Sequence, residues 1–111
     1  LKGKGCSKCA KHGFNIHDDG YLYILKSLGG EFVKIGITNK PDQRFQQLKR
    51  TTPFEFSIID TFKMPGKAAA ALELYFKKSN PDAGLSGFDG STEWFEYSDN
   101  LINSVKMMCT S

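Results

Sequence analysis

The sequence predicts a small α/β (α+β) domain, a mixed or antiparallel sheet of three to four strands flanked by helices in the order β-β-α-β-α-β-α. Two aromatic and branched-apolar runs lie on either side of a glycine pair, the pattern of a β-hairpin. Two further segments carry apolar residues at helical spacing. At 111 residues, 40% of them hydrophobic and 24% charged, the chain has material for one core and is too apolar for wholesale disorder. No apolar run approaches the roughly 18–20 residues of a membrane span, and the N-terminus lacks the apolar stretch of a signal peptide. A cytoplasmic protein is expected.

The elements follow in order. Residues 11–20 read as a linker ending in the turn signal Asp19-Gly20. Gly20–Leu25 and Glu31–Ile37 form the hairpin, with either Gly29-Gly30 or Leu28-Gly29 as its two-residue loop. In the first register residue i faces 59 − i, and in the second 57 − i. Both sums are odd and directly opposed residues share a face, so Tyr23 and Lys34 lie on one face either way. A helix is expected from about Pro41 to Arg50, capped by Thr38 or Asn39, with Phe45 and Leu48 turned inward and Arg44 beside them. Residues 54–62 alternate as a third strand. Residues 67–78 form a second helix with Ala69, Leu72 and Phe76 at core spacing and Glu73 at the margin of that stripe. A short strand over 93–97, with Trp94 in the core, and a last helix capped by Ser98 complete the chain.

Charge and cysteine are both unevenly distributed. Residues 1–14 carry four lysines and no acid, and residues 26–50 carry six basic side chains against two acids. Residues 51–111 carry five bases against eight acids. Local basic blocks suit a polyanion such as nucleic acid, or are simply solvated faces. Cys6 and Cys9 form a Cys-x-x-Cys followed by His12, part of a tetrahedral zinc set; the alternative is two reduced cysteines in a tail. Leu1 is not a methionine, and the other zinc ligands are expected on a neighbouring N-terminal segment.

Tyr21-Leu22-Tyr23, Lys34-Ile35-Gly36, Arg44 on the first helix and Glu73 on the second, together and in this order, resemble the GIY-YIG nuclease superfamily. The second motif begins eleven residues after Tyr23, and the arginine lies ten beyond Lys34. The resemblance spans roughly residues 20–97 and is nearest to a phage subgroup with a Lys-Ile-Gly motif. Gly90-Ser91-Thr92-Glu93-Trp94-Phe95 is similar to that subgroup's ending. Tyr21 stands where glycine is usual, Lys34 where tyrosine is usual, and Leu48 where many members place histidine; no asparagine matches the family's C-terminal one. Residues 3–9 resemble the end of a zinc-binding module found ahead of phage homing-endonuclease-like domains, which divides the chain into a remnant over 1–14 and a nuclease domain over 15–111.

The resemblance implies a metal-dependent DNA endonuclease encoded by a phage or mobile element and acting in a host cell, or a non-catalytic nucleic-acid-binding module of the same fold. In the enzyme, Glu73 would hold Mg²⁺ or Mn²⁺, because a single carboxylate with waters and phosphate oxygens suits such an ion. That role requires the second helix to pack on the hairpin face bearing Tyr23 and Lys34. Tyr23 would act as base or orient the water, its phenol lowered from a reference value of about 10 by the Lys34 cation. Arg44 would hold the scissile phosphate through its planar fork. Lys40, Lys49, Arg50, Lys4 and Lys8 would contact DNA backbone, and Cys6, Cys9 and His12 would be zinc ligands.

Overall fold

A computed structural model describes residues 14–80, 83–85 and 93–110. Strands β1 (Asp19–Ser27) and β2 (Phe32–Thr38) pair antiparallel with Tyr23 opposite Gly36 and Leu25 opposite Lys34. This is the 59 − i register. The loop is wider than the expected pair of residues, covering 28–31, because Ser27 closes it from both sides. Its carbonyl accepts the Gly30 N–H at 2.9 Å, and its Oγ accepts the N–H groups of Glu31 and Phe32 at 3.2 and 3.0 Å. Gly30 turns the corner at φ +77°, a conformation that costs glycine nothing.

Helix α1 (Pro41–Thr51) follows, then β3 (Phe56–Pro65), α2 (Gly66–Ser79), β4 (Trp94–Glu96) and α3 (Asp99–Thr110). The strands form one fully antiparallel sheet in the order β3-β1-β2-β4. β1 and β2 are the central strands, which explains their dense apolar sequence. β3 carries one extra residue, Ile59, between the partners of Ile24 and Leu25. The Ser98 Oγ accepts the Leu101 N–H at 3.3 Å, as expected of a cap.

The α1 cap differs from expectation. Lys40 is the N-cap residue, with no side-chain cap bond. Asn39 instead clamps the preceding turn: its Oδ1 accepts the Asn15 N–H at 2.6 Å, and its Nδ2 donates to the carbonyls of Asn15 and Asp19 at 3.0 and 2.9 Å. Residues 15–18, read from sequence as linker, thus belong to the folded unit. Gly66 starts α2 directly beneath this turn, where a side chain would collide with the carbonyls of Asn15, Ile16 and Asp18.

The sheet separates two cores. On one face Leu22, Ile24, Val33 and Ile35 pack with Phe76 of α2, Phe95, and Leu101, Ile102 and Val105 of α3. On the other Tyr23 and Leu25 pack with Leu48 of α1 and Trp94, flanked by Phe32, Phe45, Phe54 and Phe56. Each fully buried apolar side chain contributes about 1.5–3 kcal/mol, so both faces hold the sheet in place. Trp94 is core, as expected. Among the described residues no helix is long and apolar enough to cross a membrane.

Candidate active site

Tyr23 reaches the site from the middle of β1 and Lys34 from β2, on one face as the hairpin parity requires. Gly36 sits directly opposite Tyr23, and the ring occupies the space above it: a Cβ at position 36 would overlap the phenol oxygen and Cζ. The glycine of the second motif is therefore the berth of the tyrosine of the first. Phe45 of α1 meets the same ring edge-on, with centroids 5.4 Å apart.

Arg44 comes from the first turn of α1, half-buried beside Leu48. Its Nε donates to the Tyr23 hydroxyl at 3.4 Å, and its Nη1 donates to Gln47 Oε1 at 2.8 Å, one turn along the helix. The guanidinium is thus aimed by two neighbours. Glu73 is half-buried on α2, and its negative charge acts on both Tyr23 and Lys34. The charges of Arg44 and Glu73 thus both act on Tyr23 and on Lys34.

Two expectations are corrected. The apolar stripe of α2 packs on the face opposite Tyr23: Phe76 joins the Leu22 and Ile24 core, and Ala69 lies against Gly20. The cause is topological. Pro65 pairs with Asp19 at the start of β1, so α2 begins there, and its stripe falls on the even-numbered side of that strand. The charge of Glu73 acts on Tyr23 and Lys34 although its helix belongs to the other layer.

The second correction concerns the phenol. Burial pushes the Tyr23 phenol far above its ordinary value; the Arg44 charge and hydrogen bond pull it down, and the charges of Glu93 and Glu73 push it further up. The Lys34 ammonium, expected to lower it, lies 2.7 Å from Glu93 Oε1, a carboxylate whose own charge raises the phenol. Burial lowers the Lys34 ammonium, and the neighbouring Glu93 pulls it back toward the charged form. Tyr23 and Lys34 have no exposed surface, so of the four only Arg44 and Glu73 reach solvent.

Glu93 and Gln47 are the site residues that sequence reasoning missed. Glu93 had a signal: it lies within Gly90-Ser91-Thr92-Glu93-Trp94-Phe95, the stretch similar to the phage subgroup's ending. Gln47 had only its position three residues beyond Arg44 on a helix. Leu48, where many GIY-YIG members place histidine, is fully buried with Tyr23, Leu25 and Trp94, so that position faces the core. Lys40, Lys49 and Arg50 are exposed on α1 or its cap. Lys4, Lys8, Cys6, Cys9 and His12 lie outside the described residues. Two concavities, one under the hairpin tip beside Phe32 and Phe54 and one between α2 and α3 beside Tyr75 and Asn80, are lined by none of the four residues.

A protein of Escherichia phage T5 named "Putative endonuclease" is 31% identical over 98 residues, covering 85% of this chain and 34% of that protein. The chain spans about a third of the length of this relative. No solved structure matches the chain. Residues 20–109, from the first hairpin strand through α3 and thus including all four site residues, match the T5orf172 domain, and the chain belongs to that family.

Proposed function

We propose that this chain is a GIY-YIG-type endonuclease domain that hydrolyses phosphodiester bonds of DNA with the help of Mg²⁺ or Mn²⁺. The observation that carries the reading is the bond between Arg44 and the Tyr23 hydroxyl on the strand face that also bears Lys34, with the charge of Glu73 acting on both strand residues. The name of the phage relative supports the same activity class, and a phage or mobile-element protein acting in a host cell fits it.

The donor set suits such an ion. Among the described residues no three His, Cys, Asp or Glu side chains cluster, so they offer no cage made wholly of protein ligands. One carboxylate, Glu73, with waters and phosphate oxygens completing the shell, is how Mg²⁺ is commonly held. When bound there, the ion would supply positive charge to the non-bridging and leaving oxygens.

The remaining work falls to the side chains. Arg44, half-exposed and already oriented by Tyr23 and Gln47, binds the phosphate through its planar fork. The buried Tyr23 hydroxyl accepts from Arg44 and burial pushes its phenol up, so its role is to hold Arg44 in place rather than to take a proton. Lys34 adds positive potential from beneath. Lys40, Lys49 and Arg50 hold the DNA backbone without reading sequence, as do Lys4 and Lys8. Cys6 and Cys9, with His12 as a third, would hold zinc in a module ahead of the domain, its remaining ligand coming from elsewhere.

The full burial of Tyr23 and Lys34 favours a second reading, a non-catalytic module that binds nucleic acid through the same face. Nicking of supercoiled plasmid with Mg²⁺ or Mn²⁺ separates the two. Wild type is expected to nick, while Tyr23→Phe and Glu73→Ala lose on the order of a hundredfold or more in rate. Wild type that binds DNA and never cuts, or Glu73→Ala that cuts equally well, overturns the enzyme reading.

A further inference from the structure

Lys34 has no exposed surface, and its Nζ lies 2.7 Å from Glu93 Oε1, whose side chain is 21% exposed. Its surroundings are apolar: the Trp94 ring centroid is 5.9 Å from the ammonium, and Phe54 and Phe56 pack on that indole. A buried ion pair gains little stability over apolar side chains of similar volume, because both charges must leave water. The core alone therefore gives no reason for a lysine at position 34. Its placement does. It stands on the face of Tyr23, and the charges of Arg44 from α1 and Glu73 from α2 both act on it.

Glu93 immediately precedes β4, and the pairing of Trp94 with Lys34 fixes that strand against β2. A lysine side chain has four rotatable bonds and no preferred direction, so an ammonium needs a fixed partner to serve as a fixed charge. We propose that Glu93 is a positioning residue of the phosphate site, holding the Lys34 ammonium on the Tyr23 face so that its charge is delivered beside that of Arg44. The inference rests on the endonuclease reading and adds to it a carboxylate that acts through Lys34.

The test uses the full chain and supercoiled plasmid with Mg²⁺, comparing wild type, Glu93→Gln, Glu93→Asp, Lys34→Met and the double variant Lys34→Met/Glu93→Gln. Glu93→Gln is expected to slow cleavage at saturating enzyme by roughly tenfold to a hundredfold, the loss of one charge-assisted hydrogen bond. Its dissociation constant for DNA should stay within about threefold. Glu93→Asp should recover part of the rate, and the double variant should be no slower than Lys34→Met alone. Glu96→Gln, at an exposed carboxylate three residues further on in β4, serves as the control that cuts like wild type. A folded Glu93→Gln that cuts like wild type overturns the proposal, as does a double variant whose loss is the product of the two single losses. Where Glu93→Gln fails to fold with its cation left buried, the double variant, which removes both charges, carries the same comparison against Lys34→Met.

The ammonium resonance of Lys34 in nitrogen-edited NMR separates this proposal from the activity it rests on. Wild type that cuts nothing ends the endonuclease reading. A Lys34 signal that is sharp in wild type, lost in Glu93→Gln and shifted by short duplex DNA still upholds the holding of the Lys34 ammonium by Glu93 at a site that DNA reaches. A signal that DNA does not move overturns it.

Discussion

The Tyr23 hydroxyl accepts a hydrogen bond from Arg44 in a setting sealed from solvent. Burial holds the folded-state phenol above the ordinary tyrosine value of about 10. The folded chain therefore keeps a proton that the unfolded chain surrenders near pH 10, and stability from this group is complete below that pH and lost as pH rises beyond it. Lys34 has the opposite sign: burial lowers its ammonium, so the folded chain releases that proton first and this group gains stability as pH approaches the ordinary lysine value. Comparing wild type with Tyr23→Phe cancels the lysine, which both share. The difference in Tm between them should be constant from about pH 7 to about pH 9, with wild type then falling faster above about pH 10. Parallel curves through that range would show that the phenol ionises freely in the folded state. At this scale the sequence placed Tyr23 and Lys34 on one face, but not the partners of either. Pairing Arg44 with Tyr23 and Lys34 with Glu93 depends on side-chain directions across three elements, which spacing along one chain does not encode.

The parity of the hairpin was readable because a two-residue period and an odd register sum settle which residues share a face, whichever turn is used. The side of the sheet taken by α2 was not. It depends on β3 pairing with β1 rather than with β2, a choice between two plausible edges made by tertiary packing. The Asn39 clamp was hidden for a similar reason, since a cap-forming residue next to a helix is normally read as the cap. Within the hairpin, Gly36 is the residue whose constraint is sharpest. A methyl group there meets the Tyr23 phenol, which is held by Phe45 and Arg44 and has no open side to move toward. Gly36→Ala is expected to cost about 1–3 kcal/mol in chemical denaturation, the usual range for overpacking. In a Tyr23→Ala background most of that cost should vanish, because the overlapping atoms are gone. An equal cost in both backgrounds would place the strain in the backbone instead.

Across the whole molecule the layers divide the work. α2 and α3 close one face of the sheet, and α1 closes the other while presenting Arg44 and, outside it, Lys40, Lys49 and Arg50 to solvent. A polyanion lying along α1 from its first turn to its last would pass Lys40, Arg44, Lys49 and Arg50. α2 ends with a second exposed basic pair, Lys77 and Lys78, on the far layer. If DNA lies along α1, the two pairs must behave differently, because only cations that neutralise phosphates release counterions from the duplex. Replacing Lys49 and Arg50 with alanine should flatten the slope of log affinity against log salt by about 0.9 for each phosphate left without its cation, about 1.8 in all. The fall in affinity should be nearly uniform across DNA sequences, since binding to the phosphate backbone carries no base information. Replacing Lys77 and Lys78 in the same way removes an identical formal charge, so it controls for net charge. It should leave the slope unchanged; equal flattening by both pairs would mean that the long-range field of the whole chain, rather than a docked α1 face, governs binding.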